Sequence, residues 1–357
     1  MSTTGNCRLR TSPGSDLTEA LAERVRAGGP LRLEGGGTRA FYGRAVEGEV
    51  LSLAGHRGVV DYDPSELVIT ARAGTPIIEI EALLAAENQM LAFEPPVFGP
   101  AGTLGGAVAT GMSGPRRPFV GPLRDYVLGA RLMNPQGEVL RFGGTVFKNV
   151  AGFDAFRLMA GSLGCFGPIL EVSLRVTPRP RTERALVFEM PGEAARTWVT
   201  GLMGRPLPLS GAFHDGARLH LRLSGGEAGV AATQAELGGE DEPLETWDAI
   251  RHMRHPLFAA PVLWRISLPP TGPADSFGNT AWDWAGGQRW LTADDVDPGV
   301  WDEAARLGGH ATLFRGQAAN GQVFQPLVSG VFNLHRRVKA ALDPAGIFNP
   351  GRMYEGL

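Results

Sequence analysis

Gly35-Gly36-Gly37-Thr38-Arg39-Ala40 follows a predicted strand and matches G-x-G-x-x-A, a pattern by which chains hold dinucleotides. That fingerprint seats a pyrophosphate on the N-terminus of a crossover helix. Here only eight residues, FYGRAVEG, separate Ala40 from the next predicted strand, too few for a crossover helix of ten or more. Three glycines can still aim several N–H groups at one anion without a helix. A tight β-turn with no ligand accounts for this stretch equally well. Four further glycine-rich segments recur along the chain: GTLGGAVATG at 102–111, GPLRDYVLG at 121–129, KNVAGFD at 148–154 and GSLGCFGPILEV at 161–172. Each adjoins a predicted strand or short helix, where glycine marks positive φ, tight turning or a backbone pressed against a ligand.

Other chemistry-bearing residues are sparse. Among seven histidines only His252 and His255 in RHMRHP stand close, and with no third ligand nearby they read as polar residues at a helix end. His214, His220 and His310 are scattered and His335 falls on the polar face of the last helix, so no metal site and no catalytic residue is assigned. Cys7 and Cys165 make neither a disulfide framework nor a CxxC pair, and two cysteines are too few to hold an iron–sulfur cluster. Cys165 reads as a small buried residue. Arg116-Arg117 would meet an anionic acid or a phosphate, or equally lie solvated on a loop. Trp282 and Trp284 share one face of a predicted strand; with the tryptophans at 247, 264, 290 and 301 they suit a small core or a subunit contact rather than a substrate cage, and in so small a region a contact surface is the better reading.

The elements around these segments divide the chain. An N-cap at Asp16 opens a helix with Leu17, Leu21 and Val25 inward, stopped at Gly28-Gly29-Pro30. Leu31–Leu33, Val50–Leu53 and Leu67–Arg72 read as strands. Thr75 caps a helix with Pro76 in its first position and Ile77, Ile80 and Leu84 on one face. Residues 93–120 form a long loop with a short helix near 105–110. Tyr126–Met133 and Glu138–Phe142 make a hairpin, and Ile169–Val176 alternates up to Pro178 and Pro180, a domain boundary. Strands near 185–189 and 217–223 mark a smaller α+β region over 181–320. The last helix places Val331, Leu334, Val338 and Leu342 inward and ends at Asp343-Pro344.

With 357 residues, two domains are expected. A net charge of −3 argues against nucleic acid or an anionic membrane surface as the main partner. The N-terminus has no apolar signal core and no apolar run reaches eighteen residues, which reads as a cytosolic protein without membrane insertion.

The ordered glycine-rich segments together with LDPAGIFNPGRM resemble the vanillyl-alcohol oxidase and p-cresol methylhydroxylase flavoproteins, and within them the FAD-binding subunits of bacterial glycolate oxidases. The resemblance implies an α+β fold: a two-subdomain FAD-binding domain of the p-cresol methylhydroxylase type over 1–180, a reduced α+β cap over 181–320, and a C-terminal segment, 321–357, returning to the first domain. It implies that Gly35, Gly36, Gly37 and Thr38 hold the FAD pyrophosphate while Gly102, Thr103, Gly105 and Gly106 lie along the cofactor. Gly121, Arg124 and Asp125 would anchor its far side, and Lys148, Asn149 and Gly152 match the motif before the last FAD-domain helix. Gly164, Gly167 and Ile169 would press on the ribityl chain and ring, with Asn349 at the flavin edge. FAD offers a doubly charged pyrophosphate, a flat apolar ring and a polar edge, for which nests, close glycine backbone and a few polar anchors suit.

The glycine run holds no His, Cys or Tyr, which implies non-covalent FAD. The GDGNxH-like and EHG motifs of catalytic relatives are missing, which favours electron relay or structural support over substrate oxidation. The implied setting is a complex, with a catalytic flavoprotein subunit and an iron–sulfur subunit, that oxidises glycolate to glyoxylate in the cytoplasm or peripherally at the inner membrane. The alternative is a self-sufficient FAD-dependent 2-hydroxy-acid or alcohol oxidoreductase.

Overall fold

The computed structural model describes residues 14–144, 154–272, 277–278 and 280–357. The chain forms two compact units, one of residues 1–112, 122–179 and 327–357, the other of 113–121 and 180–326.

In the first unit, helix α1 (Thr18–Arg26) buries Leu21, Ala22 and Val25. Leu17 is its N-cap; Asp16 Oδ1 accepts the Thr18 N–H at 3.0 Å. Strands β1 (Leu31–Glu34) and β2 (Glu49–Ser52) pair in parallel, Leu31 opposite Glu49. Strands β3 (Val59–Asp63), β4 (Val68–Arg72), β5 (Val127–Met133), β6 (Val139–Gly143) and β7 (Ile169–Arg175) form an antiparallel sheet in the order β3-β4-β7-β5-β6. Its centre, β7, is buried through six successive residues, so no alternation of exposure remains along it. Helix α2 (Ile77–Ala86) buries Ile77, Ile80 and Leu84. Its cap is Pro76 rather than the expected Thr75, whose hydroxyl instead accepts the Gly58 N–H at 2.9 Å.

The C-terminal segment completes this unit from the far end of the sequence. Ile347 and Phe348 join the core of Leu21, Val25, Leu31, Leu51 and Leu170, and Phe348 bridges Leu31 in parallel. Helix α4 (Ser329–Leu342) departs from expectation: Val331 and Leu334 are exposed, and the buried member is Lys339. The reason is a buried charge. The Lys339 ammonium donates to Asp343 Oδ2 and the carbonyls of Cys165 and Phe348 at 2.6–2.7 Å, and satisfying that charge turns the helix away from its apolar stripe. Between α2 and α4, α3 (Leu104–Thr110) is the short helix expected near 105–110.

The second unit is built on an eight-stranded sheet running, edge to edge, through Glu240–Glu242, Thr182–Glu189, Arg218–Gly225, Leu209–His214, Ala281–Asp283, Gln288–Ala293, Val262–Ser267 and His310–Arg315. Residues 113–121, expected with the first region, belong here: Trp284 Nε1 donates to Gly114 O at 3.0 Å, Arg116 pairs with Glu183 at 2.6 Å, and Phe119 packs on the core. Arg116 is therefore a closed buried pair, and the Arg117 guanidinium lies 4.1 Å from the Trp284 ring centre. Trp247, Trp264, Trp282, Trp290 and Trp301 are all buried in this unit, so they fill its core rather than serve a subunit contact. Trp284 does not share a strand face with Trp282. Its φ of 55° and that of Ala285, 54°, break the strand into a turn.

One buried charge cluster in this unit was not legible from scattered histidines. His220, 2% exposed, has Glu242 at 2.9 Å from Nδ1 and Asp215 at 3.4 Å from Nε2. Burial alone would lower its pKa, but hydrogen bonds to the Asp215 and Glu242 carboxylates outweigh it and push it from 6.5 up to about 9. A raised folded-state pKa stabilises fully below the unfolded value and is lost as pH climbs through the folded one. Denaturant unfolding followed by tryptophan fluorescence, which reports this unit because all seven tryptophans lie in it, should show on the order of 3 kcal/mol lost between pH 6 and 10. His220→Gln should flatten that slope; an unchanged slope would count against the cluster.

Candidate functional site

In the first unit, a cleft of about 440 Å³ is lined by Gly35, Gly36, Gly37 and Thr38 together with Thr103, Gly106, Leu163, Asn349 and Arg352. It shares lining residues with an apolar recess of about 90 Å³, walled by Leu33, Ala73, Gly105, Gly164, Gly167 and Ile169. Three glycine-rich loops and the C-terminal NPG thus meet at one place.

The loops are held there by backbone bonds. The Gly102 carbonyl accepts the Ile77 N–H at 2.8 Å, the Leu104 N–H donates to Thr75 O and the Gly105 N–H to Ala73 O, so the ends of β4 and α2 carry the second loop. Thr103 Oγ1 caps α3 through the Gly106 N–H at 3.2 Å. A Cβ at Gly36 would overlap the Ala101 carbonyl oxygen, and one at Gly35 would overlap Thr103 Oγ1. These two glycines therefore exist where the second loop passes against the first.

Asn349 ties the segments across the molecule. Its Oδ1 accepts the Leu33 N–H at 2.8 Å, its Nδ2 donates to Leu163 O at 2.6 Å and its own N–H donates to Leu31 O at 2.9 Å. At Gly164, with φ of 73°, a Cβ would lie 2.8 Å from Asn349 Nδ2. Arg352 donates to the carbonyls of Ala40, Tyr42 and Arg44, stapling the segment that follows the glycine run.

Four donors and one cation point to the ligand. Among the described residues, the backbone N–H groups of Gly36, Gly37, Thr38 and Arg39 donate to no protein acceptor. Arg39 lines the same cleft, and its Nε is buried without a partner. An anion nest beside an apolar recess offers the donors and the apolar wall that a flavin dinucleotide requires.

Of the other expected residues, Gly102 lies beside the cleft, its Cβ position 3.5 Å from Thr38 Oγ1. Arg124 and Asp125 face each other at 3.7 Å on an exposed turn and line neither cavity. Gly121 belongs to the second unit. Lys148, Asn149 and Gly152 lie outside the described residues. Cys165 is fully buried, and burial pushes its thiol up to about 11, so it is inert at neutral pH. The sequence reading missed Arg39, Arg352 and the Lys339–Asp343 pair. Only Arg39 had a signal, a cation directly after the glycine run.

Comparison with known proteins agrees with this geometry. Residues 13–143 match the FAD binding domain family, and residues 329–353 match the C-terminal domain of FAD linked oxidases. A solved structure of alkyldihydroxyacetonephosphate synthase shares the fold, with a TM-score of 0.66 at 15% identity over 95% of this chain and 76% of that one. Fold and cleft thus define an FAD-dependent oxidoreductase. The chain is 45% identical to the glycolate oxidase subunit GlcE of Escherichia coli K12, over 96% of this chain and 99% of the relative, and it belongs to that family. It is also 29% identical to the glycolate oxidase subunit GlcD of Bacillus subtilis 168, over 61% of this chain and 47% of that one.

Proposed function

We propose that this chain is the FAD-carrying subunit of a multisubunit glycolate oxidase, working beside a larger catalytic flavoprotein of the GlcD kind and an iron–sulfur subunit, in the cytoplasm or at the inner membrane face. The observation that carries the reading is the meeting of GGGT, GTLGG, GSLG and NPG at one cleft, in a chain that matches a glycolate oxidase subunit over 96% of its length. No helix among the described residues is long and apolar enough to cross a membrane.

Bound FAD would supply a carrier able to take up and pass on one or two electrons. The chain's own residues bind and orient it. The GGGT nest would take its phosphates and the glycine backbone at Gly164 and Gly167 would leave room beside it, while Asn349 keeps β1 and the GSLG loop in register. Among the described residues neither cavity is lined by a histidine, which supports non-covalent attachment and, with no imidazole there to take the substrate hydroxyl proton, supports electron relay over substrate oxidation by this subunit.

Purification from its native cell tests this. The expected preparation is yellow, releases intact FAD on acid denaturation, and brings with it a larger flavoprotein and a cysteine-rich subunit. Glycolate should bleach the flavin of the complex and leave that of the isolated chain oxidised. Bleaching of the isolated chain would instead establish the self-sufficient oxidoreductase, and a colourless chain unable to take up FAD would remove the cofactor role.

A further inference from the structure

We infer that Arg39 is a counter-charge kept in reserve for the diphosphate of the bound dinucleotide, so that the empty site holds an uncompensated cation which only an anionic ligand neutralises. The inference rests on the FAD reading above and assigns the ligand's anchoring charge to one side chain.

Arg39 is only 7% exposed, yet no carboxylate lies within ion-pair distance among the described residues. Its one protein hydrogen bond runs from Nη2 to Pro96 O at 2.6 Å, and its Nε is buried without an acceptor. The guanidinium carbon sits 5.6 Å from the Phe98 ring centre, an apolar neighbour that adds little countercharge. Burial with no opposing acid lowers its pKa from 12.5 to about 10. Other buried arginines are satisfied: Arg116 pairs with Glu183, and Arg289 donates from Nε and Nη2 to the carbonyls of Gly286 and Gly272, whereas Arg39 keeps a buried Nε with no acceptor. An unpaired buried cation is costly and is retained where a partner arrives from outside.

The surroundings say what arrives. Nη1 lies 3.6 Å from where a Cβ on Gly102 would sit and 3.4 Å from one on Gly106, so both glycines leave the second loop open beside it. The unbonded N–H groups of Gly36 to Arg39 belong to the same turn. A nest and a guanidinium fork on one loop suit adjacent phosphate oxygens carrying more than one charge, which the diphosphate of FAD or ADP offers and riboflavin does not.

The test uses the full chain stripped of flavin. FAD, ADP, inorganic pyrophosphate and riboflavin are titrated by calorimetry and flavin fluorescence, and melting is recorded with and without pyrophosphate. Arg39→Met should weaken FAD and ADP by roughly 100-fold while leaving any riboflavin affinity unchanged. The flavin-free variant should melt at or above the wild-type temperature, because a buried charge has gone. Pyrophosphate should raise the melting temperature of the wild type and not that of the variant, and Arg39→Lys should recover only part of the affinity. A variant that binds FAD within about threefold of wild type, or melts well below it when empty, overturns the inference and makes Arg39 a structural residue. An Arg39→Met chain that does not fold without flavin gives that same overturning result. A wild-type chain that takes up no FAD at all refutes the cofactor reading itself, a separate outcome.

Discussion

Gly36→Ala should abolish FAD binding and destabilise the first unit by about 3 kcal/mol or more, the upper range for overpacking. The added methyl has nowhere to go. It would overlap the Ala101 carbonyl oxygen, and the second loop cannot retreat because Gly102 bonds both Gly99 O and the Ile77 N–H. Moving the first loop instead would pull Gly36, Gly37, Thr38 and Arg39 out of the cleft they line. Gly37→Ala is the informative control. Its Cβ would meet only Glu34 Oε1, at 3.1 Å, and the cost is mainly the strain of a φ of 70°, about 1–2 kcal/mol. Urea unfolding and FAD titration of both variants separate a packing glycine from a conformational one. If Gly36→Ala bound FAD as tightly as wild type, the apposition of the two loops described here would be wrong.

Lys339→Met should cost about 3–5 kcal/mol, the range for breaking a buried ion pair from one side. The ammonium makes three bonds of 2.6–2.7 Å, and Asp343 also accepts the N–H groups of Ile347 and Phe348. These bonds hold the strand-like 347–349 segment beside β1 and the GSLG loop, so FAD affinity should fall along with stability. Asp343→Leu should cost a similar amount, and the double variant Lys339→Met/Asp343→Leu much less than the sum, since it buries no lone charge. Chemical denaturation of the four proteins forms the cycle. Additive losses would show that the two groups act independently.

The contrast between these two sites shows what a linear reading can carry. A glycine run, a second run at 102–106 and GSLG at 161–164 are visible because backbone freedom is written in residue type, and their convergence was expected from resemblance. Lys339 was invisible for the opposite reason. At helical spacing Val331, Leu334, Val338 and Leu342 outvote one lysine, and only the Asp343, Cys165 and Phe348 acceptors, the last two brought in by the fold, reverse the outcome. The tryptophans failed similarly: a residue type suited equally to a core, a cage and an interface is decided by what surrounds it.

By itself, then, the sequence determined that this is an α+β protein with phosphate-ready turns, because strand alternation and glycine placement are local properties. Tertiary structure alone decided why Gly35 and Gly36 admit no side chain, where residues 113–121 belong, and that Arg39 is buried without an acid, because each of these depends on atoms far away in the chain: Ala101 and Thr103, Trp284 and Glu183, and the described carboxylates, none within ion-pair reach of Arg39.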